Sequence, residues 1–230
     1  MNAKPSIGFI LQARSDSSRL PGKIFMKVGG LSILEHIWNY WQDVAFDKIP
    51  IIATTYRPID DELAELAESI GYKVYRGDCN DVFSRFKEIA NLFDLDLLLR
   101  FTGDNPMIDS ATVEKAIQRC LAEYKDGEAI FLSTRNSFMP IGMDIEIFSK
   151  PVLELIPKPL GEYDAEHVTP WMYLSAHIGR LNLENELPKN DFSVTVDTRE
   201  DLNKLNEFYE WLNHRKPNAE LVTLFFENQY

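Results

Sequence analysis

Ile7-Gly-Phe-Ile-Leu-Gln-Ala13 runs directly into Arg14-Ser-Asp-Ser-Ser-Arg-Leu-Pro-Gly-Lys23. A short apolar run ending in a polar, cation-bearing loop reads as a buried parallel strand. In an open α/β sheet the loop after the first strand opens into the ligand crevice at the carboxyl ends of the strands. Outward from this stretch the pattern repeats. Leu34, Ile37, Trp38 and Trp41 recur at the i, i+3, i+4, i+7 spacing of an amphipathic helix, and residues 49–54 read as a second strand. A helix opening at Asp60-Asp61 and stopping at Gly71 carries Leu63, Leu66, Ala67 and Ile70. Strands at 72–75, 96–100 and 129–133 then alternate with helices marked by Val82, Phe83, Phe86, Ile89 and Ala90, and by Val113, Ala116, Ile117, Cys120 and Leu121. Such alternation predicts a three-layer α/β/α sandwich around a mostly parallel sheet.

The regularity fails after residue 134. Residues 141–148 set Met143, Ile145 and Ile147 against Asp144 and Glu146, the pattern of a half-buried strand. A helix is expected over 162–175, started or interrupted by Pro170, then an alternating stretch over 177–184 and a returning strand over 192–196. Two helices, 199–212 and 218–227, close the chain. We expect one domain over 1–230, with 135–190 an insertion forming an acceptor wall or a dimer contact.

At 230 residues a single domain buries a core that needs no disulfide or metal staple. The 45% hydrophobic and 26% charged content excludes disorder. No apolar run approaches the roughly 18 to 20 residues of a membrane span, and the stretch broken by Gln12 and ended by Arg14 is no secretory signal. Cys79 and Cys120 lack metal-ligand spacing, so a cytoplasmic location is expected. A net charge of −12 disfavours nucleic acid and anionic membranes as partners. Residues 1–30 nevertheless hold five basic residues against Asp16 alone, a local +4 that leaves −16 on the remainder. That asymmetry suits a small polyanion; a chance cluster on a solvated loop is the alternative.

Within the first loop, Ser15, Ser17 and Ser18, the backbone amides, and Arg14, Arg19 and Lys23 form a set able to cup anionic oxygens. It is not a phosphate loop of the Gly-Lys-Ser/Thr kind, because Ile24 follows Lys23, and there is no Gly-x-Gly-x-x-Gly. Asp104, in Thr102-Gly-Asp-Asn-Pro106, follows a predicted strand; it is placed either to hold a divalent ion against phosphates or to form a turn before the proline. Asp197 precedes Thr198-Arg-Glu-Asp201, in which Thr198 serves as helix cap and leaves Asp197 free. Asp81 and Arg85, at i and i+4, read either as a surface ion pair or as nucleotide contacts. Asp144 and Glu146 line an acceptor pocket, bind a second metal, or face solvent from a strand edge. Glu166 and His167 lie in the insertion, where His167 is a possible general base or a structural histidine. His36, His177 and His214 show no partner pattern, and Phe225, Phe226 and Tyr230 are either exposed or core.

Six blocks in order carry a resemblance. Gln12-Ala-Arg-x-x-Ser-x-Arg-Leu-Pro-Gly-Lys23 is followed by Arg76-Gly-Asp-Cys-Asn-Asp-Val-Phe-Ser-Arg-Phe86, Leu99-Arg-Phe-Thr-Gly-Asp-Asn-Pro-Met-Ile-Asp109, Gly142-Met-Asp-Ile-Glu146, Glu166-His-Val-Thr-Pro170 and Val196-Asp-Thr-Arg-Glu-Asp-Leu202. Together they resemble the sugar-acid cytidylyltransferases, which activate ketodeoxyoctonate and acylneuraminate with CMP, and most closely the branch named for spore coat polysaccharide biosynthesis protein F. The resemblance implies a Rossmann-like sheet of the nucleotide-diphospho-sugar transferase type and a reaction in which an acceptor oxygen attacks the α-phosphate of CTP. Pyrophosphate leaves, for surface polysaccharide or glycoconjugate synthesis. It implies Arg14, Lys23 and Asp104 as catalytic residues; Leu11, Ala13, Arg14, Ser18, Arg19, Lys23, Asp81, Arg85 and Thr102 around the nucleotide; and Asp104 with Asp197 as Mg²⁺ ligands. Asp144, Glu146, Glu166 and His167 are then the acceptor-side residues, for a small sugar-acid-like acceptor, and homodimers are implied. Phe101-Thr102 stands where the ketodeoxyoctonate enzymes carry Gln before Gly-Asp-x-Pro, so the base preference is open, as is the acceptor's identity. A glycosyltransferase using Asp94-Leu-Asp96, or a non-catalytic nucleotide-binding protein, are the rival readings.

Overall fold

The first strand, β1 (Ile7–Gln12), is buried along most of its length, with Phe9 and Leu11 facing one side and Ile10 the other. A computed structural model describes residues 4–135, 139–156, 160–183, 192–213 and 215–227. After the first loop, a small hairpin of β2 (Lys27–Val28) and β3 (Leu31–Ser32) leads into α1 (Ile33–Asp43). Ser32 and Glu35 close a capping box at that helix start. Then come β4 (Ile49–Thr55), α2 (Asp61–Ile70), β5 (Lys73–Gly77), α3 (Val82–Leu92), β6 (Leu97–Thr102), α4 (Ser110–Glu123) and β7 (Ile130–Ser133). The remainder holds β8 (Glu146–Ser149), α5 (Glu162–His167), β9 (Gly179–Leu181), α6 (Arg199–Leu212) and α7 (Ala219–Glu227).

The main sheet has seven strands in the order β5-β4-β1-β6-β8-β7-β9. All run parallel except β8, which is antiparallel to both β6 and β7. One apolar layer joins α1, α2, α4, α6 and α7 to the sheet around Phe9, Trp41, Leu99 and Phe208. The other joins α3 and the segment after β8 around Ile10, Phe86, Phe148 and Trp171. This is the three-layer architecture expected from the alternation. Among the described residues no helix is long and apolar enough to cross a membrane. Phe225 and Phe226 belong to the core, whereas His214 and Tyr230 lie outside the described residues.

The second half departs from expectation at four places. Of residues 141–148, only the part from Glu146 onward joins the sheet. The predicted strand over 192–196 is not one of the seven strands of the main sheet. That segment instead runs extended beside residue 141, through the Ile141–Ser193 bridge. The helix expected over 162–175 breaks after His167, where Val168 takes a φ of +68°, and a 3-10 turn begins at Pro170. Of 177–184, Gly179–Leu181 forms a strand, and residue 184 lies outside the described residues.

Candidate nucleotide site

The chain leaves β1 towards β4 and β5 on one side, then returns through α3 to β6 on the other. Strand order therefore reverses between β1 and β6, and the crevice at such a switch point is where open α/β sheets bind ligands. A cleft of about 450 Å³ opens there. Gly103 sits close under it: a Cβ at that position would lie 3.1 Å from the Ala13 Cβ and 3.2 Å from the Ile24 Cδ1, so a side chain there needs its neighbours to give by a few tenths of an ångström.

The first loop is closed at its neck by a bond from the Gly22 N–H to the Ser15 carbonyl at 2.8 Å. Gly22 adopts φ +70°, a left-handed conformation glycine takes freely, and turns the chain into the 3-10 turn Lys23–Phe25. This aims Lys23 into the cleft. Its ammonium nitrogen lies 3.0 Å from Asp197 Oδ1, 3.8 Å from Asp104 Oδ2, and donates to the Val196 carbonyl at 2.9 Å. Arg19 pairs with the other oxygen of Asp197 at 2.8 Å, and Thr102 donates its hydroxyl to Asp104 Oδ1 at 2.5 Å. Two acids and two cations from three distant segments thus converge. Arg14 lies beside them, 3.8 Å from the Cys79 sulfur and 3.6 Å from Asp16.

Arg85 is buried beneath this half of the cleft and donates to the carbonyls of Ala53 and Thr54, at 2.9 Å and 3.4 Å. It is no surface ion pair with Asp81, whose carboxylate instead caps α3 by accepting the Ser84 N–H at 2.8 Å. Asp81 does not line the cleft. Nor does Leu11, whose side chain packs in the core while its backbone pairs with β4 and β6. The other expected residues, Ala13, Arg14, Ser18, Arg19, Lys23, Arg85, Thr102, Asp104, Asp144, Glu146, Glu166, His167 and Asp197, all line it.

The far wall is built from the second half of the chain. Glu146 is not a solvent-facing edge residue: it is buried, pairs with Arg100 at 2.7 Å, and accepts hydroxyl bonds from Thr169 at 2.9 Å and Tyr173 at 2.7 Å. Its bonding is internal, so it shapes the wall. Asp144 is different. Burial pushes its carboxyl up to about 6, with the nearby Glu146 charge adding to the rise. Glu166 and His167 lie exposed on α5 at the rim, and Gln12 Nε2 is 3.5 Å from the Glu166 carbonyl oxygen.

The Asp94-Leu-Asp96 pair sits at the opposite end of β6, where Asp96 accepts the Ser6 N–H at 2.7 Å; it cannot serve this cleft. Residues outside the sequence motifs lie behind the first loop. Asp60 was expected only to open a helix, yet its buried carboxylate accepts the Ser15 N–H at 2.7 Å. Arg57 bridges Asp60 and Asp16. The close pairing of Asp16 and Asp60 with a basic side chain is not spaced as any motif, so the sequence carried no signal for it. His36 also acquires partners: Nε2 contacts the Val28 carbonyl at 2.7 Å and Nδ1 the Tyr209 hydroxyl at 3.2 Å.

The crevice at the strand-order reversal, lined by loop cations and paired acids, lies where open α/β sheets bind their ligands. Residues 8–227 match the family described as cytidylyltransferase, and the chain belongs to it. It is 28% identical to the spore coat polysaccharide biosynthesis protein SpsF of Bacillus subtilis, over 96% of this chain and 94% of that one. It is 31% identical to a 3-deoxy-manno-octulosonate cytidylyltransferase of Myxococcus xanthus, over 46% of this chain and 43% of the relative. A cytidylyltransferase structure from Leptospira borgpetersenii superposes with a TM-score of 0.86 at 28% identity, covering 98% of this chain and 96% of the other.

Proposed function

We propose that the protein transfers the cytidylyl group of CTP to an oxygen of a sugar acid or related small acceptor, with release of pyrophosphate, in the synthesis of a surface polysaccharide or glycoconjugate. The observation that carries this reading is the Lys23 ammonium held between Asp104 and Asp197 at the strand-order reversal. Similarity to SpsF along nearly the whole chain, and to a sugar-acid cytidylyltransferase over about half of it, supports the acceptor class.

In this reading the triphosphate lies against Arg14, Arg19, Lys23 and the amides of the loop. Phosphoryl-type transfer asks for charge neutralisation and alignment more than for covalent catalysis, which is what such a loop supplies. The acceptor oxygen bonds to the α-phosphorus as the bond to the bridging oxygen breaks, and the β- and γ-phosphates leave together. Asp144, Glu166 and His167 face the acceptor, on a wall braced by Glu146 and Arg100.

Asp104 and Asp197 fit a magnesium ion. They offer only oxygen donors, and both come within 4 Å of one nitrogen cation, so one small cation lies within reach of both. Mg²⁺ is commonly held by one or two carboxylates, with phosphates and water completing its shell. Bound there, the ion would draw charge from the phosphate oxygens. A cytoplasmic homodimer completes the reading.

The test is a pyrophosphate-release screen with CTP, UTP, GTP and ATP, each against sugar acids and polyol phosphates, with and without Mg²⁺. Turnover with CTP and a sugar acid is expected. Release of a nucleoside diphosphate from a nucleotide sugar would overturn the reaction class, and full turnover after loss of both Asp104 and Asp197 would overturn the metal assignment.

A further inference from the structure

Resting on the reading of the cleft as a triphosphate site, we propose that Asp60, acting through Arg57, is a positioning residue that clamps the triphosphate loop in its binding-ready shape. Asp60 stands at the start of α2, yet its side chain makes no capping bond to that helix. It turns towards the loop instead. One carboxylate oxygen accepts the Ser15 N–H at 2.7 Å; the other accepts the Thr55 hydroxyl and an N–H of Arg57, the latter at 3.1 Å. Arg57 in turn holds both oxygens of Asp16, at 2.5 Å and 2.6 Å.

The loop is therefore fastened at two successive residues, by the backbone of Ser15 and by the side chain of Asp16. The Gly22 bond to the Ser15 carbonyl closes the segment that carries Ser17, Ser18 and Arg19, with Arg14 and Lys23 at its two ends. A wholly buried carboxylate is costly unless it is paired and hydrogen-bonded. Here every partner is either the loop, Arg57 or the end of β4. Against the desolvation that burial imposes, these bonds hold Asp60 below the usual carboxylate value. Such an arrangement orders amides and cations before a ligand arrives, which lowers the ordering cost of binding.

The experiment is calorimetric titration of CTP with Mg²⁺ into the full chain, which needs no acceptor, followed by steady-state kinetics. Asp60→Asn keeps the shape and removes the charge; it should weaken CTP binding by about 10-fold or more. Asp16→Ala frees the loop at its half-exposed attachment without touching the buried bonds. It should weaken CTP binding several-fold with an unchanged melting temperature, and it decides the matter alone if Asp60→Asn does not fold. In turnover, the KM for CTP should rise while kcat holds within about two-fold; a merely structural role would instead lower the melting temperature and the active fraction at constant KM. Glu154→Gln, which breaks a surface pair with Lys87, serves as the control and should change nothing. Wild-type affinity for CTP in both variants would overturn the clamp alone. A wild-type chain that binds no CTP would overturn the nucleotide reading and the clamp with it.

Discussion

The backbone N–H of Val196 donates to the carbonyl oxygen of Asp104 at 2.8 Å. This bond fastens the extended segment before α6 to the loop after β6, and the next residue, Asp197, then shares Lys23 with Asp104. Positions 93 apart in sequence become one site without a shared strand. The capping box of Thr198 and Asp201 fixes where α6 begins, so Asp197 stands one residue before the cap and its carboxylate is left for the cleft.

Lys23 is the common partner of both acids, and its side chain is only 11% exposed. Lys23→Met removes the ammonium that Asp104 and Asp197 share, leaving Arg19 on Asp197, and takes away a ligand for phosphate. Turnover of CTP, read as kcat/KM for pyrophosphate release, is expected to fall by about 10²–10³-fold. A loss smaller than ten-fold would show that the ammonium does not act on the phosphates.

Asp144 has a carboxyl raised to about 6 from 3.8, chiefly by burial. A raised value means the native state binds the proton more tightly than the unfolded chain. The benefit is complete below pH 3.8 and is lost as pH rises through about 6. At pH 7 the buried charge costs on the order of 3 kcal/mol. Asp144→Asn should therefore melt higher than wild type at pH 7.5, with the gain vanishing near pH 4, while turnover falls. Equal melting curves at both pH values would refute the assignment.

His36 runs the opposite way. Burial lowers its value from 6.5, outweighing the Val28 bond. The native state favours neutral imidazole, so stability is complete above pH 6.5 and declines as pH falls below it. Since His36 joins α1 to Tyr209 of α6, acidification should loosen the contact between those helices. Urea titrations between pH 7.5 and 5.5 should show a decline that is smaller in His36→Gln.

Arg100 and Glu146 are side chains only 14% and 8% exposed. Arg100→Ala strands a buried carboxylate and is expected to cost about 3–5 kcal/mol, a fall in Tm of roughly 10 °C for a chain of this size. Glu146→Gln, which keeps hydrogen-bonding atoms in place, should cost less. Differential scanning calorimetry separates them, and equal losses would contradict an internal role for Glu146.

The first half of the fold was legible because each element there announces itself locally. The apolar run at 7–13, the helical spacing of Leu34 to Trp41 and the stop at Gly71 each lie within a dozen residues, and each element appears near its predicted bounds. The second half was not. Whether 192–196 forms a strand depends on what lies beside it in the fold, and what it meets is residue 141 and the loop after β6. The alternation of Asp144 and Glu146 was visible, yet nothing local said that Glu146 meets Arg100, Thr169 and Tyr173 while Asp144 is left desolvated in the cleft.

From residue order alone came the α/β class, the cation-bearing loop after the first strand and the ordered blocks that mark the family, because apolar period, turn residues and local charge are short-range properties. Tertiary structure alone decided that Leu11 and Asp81 turn away from the cleft, that Arg85 is buried, that Asp104 and Asp197 share one lysine, and that Asp60 stands behind the loop. Those relationships rest on bonds between segments far apart in the chain, and only the folded backbone brings them within reach of one another.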